Sequence, residues 1–195
     1  MPRLFTAFEV PQKEAVQLSF LRGGLQGARW IDPENYHVTL RFAGDIDDRT
    51  ARDWAQMLDG VRREPVEIAV SDLDVFGGSR PRAIIARVRP NAGLEDLQAE
   101  HERLARRVGL SPETRRFTPH ITLARLRDVA PRSVADWLAS RGGEVRFSFT
   151  APRFVLFSSR ASTGGGPYVV EEAYPLNGAH VLEEVEDDDG WQDDD

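Results

Sequence analysis

The chain has 195 residues, 41% of them hydrophobic, with ten Phe and four Trp, which suits one domain or one domain built from two similar lobes. It has no cysteine, which excludes disulfides, thiolate nucleophiles and Cys-based zinc or iron–sulfur sites. The net charge of −7 comes from the run starting at Glu183, which holds nine of the 32 acids and leaves 23 acids facing 25 bases, Lys13 being the only lysine.

In chain order, "RLFTAFEV" from Arg3 reads as a strand, and a helix follows from Pro11 with Gly23-Gly24 as its stop. A turn at Asp32-Pro33 leads into a second strand, "NYHVTLRF", and Asp47 to Arg63 reads as a helix with Ala51, Trp54, Ala55 and Leu58 at helical spacing. "PVEIAVSDLDVF" and "AIIARVRP" are strands on either side of a turn at "GGSRPR". The order then partly repeats: helix from Gly93 to Val108, strand "TPHITLARLR", helix from Pro131 to Ser140, then "EVRFSFTAPRFVLFSS" as strand broken at Pro152. "RASTGGG" reads as a flexible loop, "PYVVEEAYPL" as a strand and "AHVLEEV" as a further one. The expected class is α+β, bilobal, with two pseudo-symmetric antiparallel sheets, helices outside and a central cleft. Residues 1–182 form the expected single domain, and 183–195 a disordered acidic tail. No stretch approaches the ~20 apolar residues of a membrane helix, and the start lacks the layout of a signal peptide. A cytoplasmic, monomeric protein without membrane contact is the expectation.

Two strands carry the same tetrad, His37-Val38-Thr39-Leu40 and His120-Ile121-Thr122-Leu123. Side chains alternate along a strand, so each tetrad sends two aliphatics into a core and an imidazole and a hydroxyl to the other face. Alternation also puts Arg41 in phase with His37 and Thr39, with Phe42 on the core side. It puts Arg125 on the face away from His120. If the two lobes pack about a pseudo-twofold axis, one cleft receives two His and two Thr. An imidazole titrates near pH ~6.5, so one can act as base while the other acts as acid in an in-line displacement at phosphorus. The Thr hydroxyls can donate to the non-bridging oxygens, where negative charge gathers. Two His with no third ligand at useful spacing make a poor metal site, so no metal and no cofactor is expected. His101 and His180 have no motif and are expected to face solvent. Tyr36 and Phe117 flank the tetrads and could stack on a base, though core packing is the expected fate of both. Arg82 and the "STGGGP" run are weaker candidates for the cleft border.

The paired tetrads resemble the 2H phosphoesterase superfamily. Together with "RLFTAFEV", "NYHVTLRFAGDI", "FGGSRPRAIIARV", "RRFTPHITLARL" and "FVLFSSRASTGGGPYVVEEAYPL", the chain is similar to the bacterial and archaeal RNA 2′,3′-cyclic phosphodiesterases, historically called 2′-5′ RNA ligases. That resemblance implies metal-free hydrolysis of 2′,3′-cyclic phosphate RNA ends to 2′-phosphates, with 2′-5′ ligation as the reverse reaction. It implies His37 as proton donor, His120 as proton acceptor, and Thr39, Thr122 and Arg125 on the phosphate. The order of the two His is open, because a pseudosymmetric site reads nearly the same both ways. A non-catalytic RNA-end binding module and a phosphodiesterase for small cyclic nucleotides are the alternatives.

Overall fold

The computed structural model describes residues 3–141, 145–159 and 166–178. Most of the "RASTGGG" loop, the "AHVLEEV" segment with His180, and the acidic tail lie outside them. The elements run β1 (Arg3–Glu9), α1 (Gln12–Ser19), β2 (Ala28–Trp30), a 3₁₀ turn (Pro33–Asn35), β3 (His37–Asp45), α2 (Asp48–Asp59), β4 (Val66–Phe76) and β5 (Ala83–Val88). They continue with α3 (Ala92–Arg107), β6 (His120–Leu126), α4 (Pro131–Arg141), β7 (Phe147–Ala151), β8 (Arg153–Ser159) and β9 (Tyr168–Pro175). Among the described residues no helix is long and apolar enough to cross a membrane.

Local chemistry sets the boundaries. Asp47 caps α2, its Oδ1 accepting from the backbone N–H of Arg49 and of Thr50 at 3.0 Å each. The helix ends before Gly60, four residues short of the expected Arg63. Asn91 caps α3 by accepting from Leu94 N–H. In the β4–β5 hairpin Gly77 has φ +112°, and a Cβ there would lie 2.1 Å from the Arg80 carbonyl oxygen, so this turn requires glycine.

All strand pairs are antiparallel, in the order β7-β4-β5-β6-β3-β1-β8-β9, with β2 added to β6. The order is a palindrome of the repeat. β3 and β6 stand at the centre, β1 and β5 flank them, and β8 and β4 come next. The two central strands, β3 and β6, meet through one residue pair, Val38 with Ile121, which makes one sheet path rather than two separate sheets. Strands are exchanged between the halves: β4, which follows α2, pairs with β7 as well as with β5, while β8, which follows β7, pairs with β1. Helix α3 packs on β3 and β4, presenting Leu94, Leu97, His101 and Ala105 to the core.

His101 departs from expectation. It is fully buried, joined to Thr6 Oγ1 by a 2.8 Å hydrogen bond at Nδ1 and set edge-on to Phe154 at 4.5 Å. Its positions in phase with Leu94, Leu97 and Ala105 explain this: the apolar stripe of α3 runs through it. Burial pushes its pKa down to about 3.

Candidate active site

Both tetrads begin their strands, and both histidines are held the same way. His37 Nδ1 donates to the Asn35 carbonyl at 2.8 Å. His120 Nδ1 donates to the Thr118 carbonyl at 2.7 Å. A carbonyl only accepts, so each Nδ1 carries its hydrogen, and each Nε2 is the atom left to exchange a proton with a substrate. The Val38–Ile121 pair is the centre of the arrangement. In antiparallel pairing its neighbours lie crosswise, so His37 lies across from Thr122 and Thr39 across from His120. The apolar middle residues of both tetrads point into the core, fully buried, and the His and Thr face the opposite side together.

Each strand then takes in one extra residue, at the Leu of its tetrad. Ala7 pairs with Thr39 and Thr6 with Arg41, skipping Leu40. Ile85 pairs with Thr122 and Ile84 with Ala124, skipping Leu123. Such a bulge reverses the alternation beyond it. Arg41 therefore leaves the cleft face, against the in-phase expectation. It is buried, its Nε donating to Glu102 at 2.5 Å and its Nη2 to the Ser111 carbonyl at 2.5 Å. Phe42, expected in the core, is exposed on the cleft face. At the equivalent place in the other half, Arg125 turns onto the cleft face, which strict alternation had denied it.

A pocket of about 180 Å³ collects Arg3, Phe5, His37, Thr39, Phe42, Arg125, Ser159 and Tyr168. His120 and Thr122 lie outside its lining, on the other half. They are linked to it by the central pair and by the electrostatic coupling of His37 to both His120 and Arg125. Aromatic rings lie against both imidazoles: Phe5 at 5.0 Å and Tyr168 at 5.1 Å from His37, and Phe76 at 4.7 Å from His120. Burial lowers the pKa of His37 to about 4, with His120 and Arg125 adding to the effect against the hydrogen bond to Asn35. Burial and Arg125 likewise lower that of His120. Tyr36 and Phe117 pack into or against the core, and Arg82 is exposed. Alternation alone missed Phe42. Among the described residues, no cluster of three or more His, Cys, Asp or Glu could hold a metal ion.

The sequence profile of the family described as LigT like Phosphoesterase matches the chain twice, over residues 8–85 and 88–168. Each match contains one tetrad. The chain belongs to the LigT-like phosphoesterases. Curated relatives of this LigT-like phosphoesterase include the RNA 2′,3′-cyclic phosphodiesterase of Aquifex aeolicus, 30% identical over 77% of this chain and 82% of the relative. The protein of the same name from Bacillus subtilis is 33% identical over 66% of this chain and 70% of its own length. That from Aeropyrum pernix is 36% identical, over 50% of this chain and 56% of its own length, so that match spans little more than half of the relative. Among solved structures, a Thermus thermophilus protein superimposes with TM-score 0.77 at 23% identity, covering 91% of this chain and 100% of that one. E. coli LigT complexed with 3′-AMP superimposes with TM-score 0.76 at 24% identity, covering 90% and 99%. These likenesses show the shared fold.

Proposed function

We propose that this LigT-like phosphoesterase hydrolyses RNA 2′,3′-cyclic phosphate ends to 2′-phosphates by two-histidine acid–base catalysis, residues 1–182 acting as one bilobal unit. The observation that carries the reading is the matched tether of His37 and His120, each donating from Nδ1 to the carbonyl two residues earlier. Each Nε2 is thereby oriented towards a cleft lying across the pseudo-twofold axis. The names of the curated relatives supply the substrate class.

In this reading His120 Nε2 takes a proton from water as its oxygen bonds to phosphorus. The P–O3′ bond breaks, and His37 delivers a proton to the departing O3′. The product is a 2′-phosphate beside a free 3′-hydroxyl. Thr39 and Thr122 donate to the non-bridging oxygens, and Arg125 balances their charge. Both histidines have depressed pKa values in the unliganded protein, so His37 must gain its proton as substrate binds. The anionic phosphate favours that gain, since a nearby negative charge stabilises the imidazolium. Ligation, in which a 5′-hydroxyl takes the place of water at the cyclic phosphate, gives a 2′-5′ linkage by the same proton transfers: His120 takes the hydroxyl proton and His37 protonates the departing O3′.

The test is turnover of an oligoribonucleotide ending in a 2′,3′-cyclic phosphate in the presence of EDTA, with the product end mapped. His37→Ala and His120→Ala should each lower kcat by ~10²–10⁴-fold. Undiminished turnover in either variant refutes the two-histidine mechanism.

A further inference from the structure

In the β2–β6 ladder Arg29 stands directly opposite Arg125. Directly opposed residues project from the same face with Cβ atoms ~5 Å apart, and like charges placed so repel. The faces are unambiguous. Trp30, the next residue along β2, packs on Trp137 of α4 at 5.3 Å, so Trp30 faces the helix layer and Arg29 faces away from it. Arg125 lines the pocket that holds His37 and Thr39. Arg29 is exposed and therefore borders the same cleft, one strand further from the catalytic pair. A sheet that sets two guanidinium groups side by side on an open face is suited to two neighbouring anionic groups.

We propose that Arg29 binds the phosphodiester on the 5′ side of the terminal nucleotide, while Arg125 serves the cyclic phosphate. Arg29 would then be a specificity residue favouring an RNA strand over a mononucleotide. This rests on the reading of the cleft as a cyclic-phosphate site. A polynucleotide repeats its charge along the backbone, and only a substrate with a second phosphate reaches both arginines. A nucleoside 2′,3′-cyclic phosphate reaches Arg125 alone.

The experiment compares wild type with Arg29→Gln and Arg29→Lys on three probes: a nucleoside 2′,3′-cyclic phosphate, the same molecule bearing a 5′-phosphate, and an oligoribonucleotide with a cyclic phosphate end. Arg29→Gln should lower kcat/KM about tenfold on the two probes with an upstream phosphate. It should leave the simple nucleoside probe within about twofold. The salt dependence of oligomer affinity should fall by about one released counterion. Arg29→Lys should recover part of the loss. Equal losses on all three probes, or no loss on any, overturns the proposal. Oligomer affinity by fluorescence anisotropy separates the two readings. If wild type binds but never turns over, and Arg29→Gln weakens binding with a shallower salt slope, Arg29 stands and the catalytic reading fails. If wild type turns over and Arg29→Gln matches it throughout, the catalytic reading stands and Arg29 fails.

Discussion

His37 and His120 hold their rings alike, and in the proposed mechanism their roles differ only by which side of phosphorus each one serves. A substrate whose bridging 3′ oxygen is replaced by sulfur separates the roles, because a thiolate leaves without a proton. His37→Ala should regain most of its turnover on that substrate, and His120→Ala should not; the opposite pattern exchanges donor and acceptor. His101 makes a separate prediction about stability. Its native pKa, about 3, lies below the ~6.5 of an unfolded His. Between those values the unfolded chain binds more protons than the native one, so stability is complete above ~6.5 and falls as pH drops through the window. His37, with a native value of about 4, acts in the same direction. His101→Gln keeps a polar group near Thr6 without the titration. In denaturant titrations across that window its stability should decline less steeply than that of wild type, by up to about 1.4 kcal/mol per pH unit. Parallel declines would mean that His101 does not titrate with folding. The burial of His101 was open to reading from the stripe through Leu94, Leu97 and Ala105; the absence of a motif was the wrong criterion.

The decisive elements are β3 and β6, each carrying one extra residue at Leu40 or Leu123. The alternation rule placed the His and Thr correctly, because both precede the bulge, and failed for Arg41, Phe42 and Arg125 just beyond it. No turn residue or glycine marks the bulge in "VTLRF" or "ITLARL". The visible trace is a doublet of buried residues, Leu40-Arg41 and Leu123-Ala124, where alternation expects one. In the first half the doublet costs a buried charge, which Glu102 on α3 balances: Arg41 is 5% exposed and Glu102 is 19% exposed. Removing one member of such a pair strands the other, so Arg41→Ala should destabilise the fold by about 3 kcal/mol. Arg41→Met combined with Glu102→Leu should cost less than either single change. Equal or larger loss in the double variant would show that the pair contributes more than charge balance.

Across the whole molecule, the exchange of β4 and β8 makes each half depend on the other. The sequence repeat divides near Arg89, but the sheet does not divide there, since β5 pairs with β6, β4 with β7 and β1 with β8. Residues 1–90 expressed alone should lack the dispersed amide spectrum of a folded protein, and co-expression with 91–195 should restore it. A folded, soluble first half would contradict the interdependence. The repeat and its element order followed from hydrophobic periodicity, turn residues and the duplicated tetrad, which are local properties of the chain. So did the shared face of His37 with Thr39 and of His120 with Thr122, because parity is a local rule. Tertiary structure alone decided which way Arg41, Phe42 and Arg125 point, and which strands complete each half. It also decided that Arg29 stands beside Arg125. Each of these depends on the register between strands distant in sequence, which is set by packing both faces of the sheet at once.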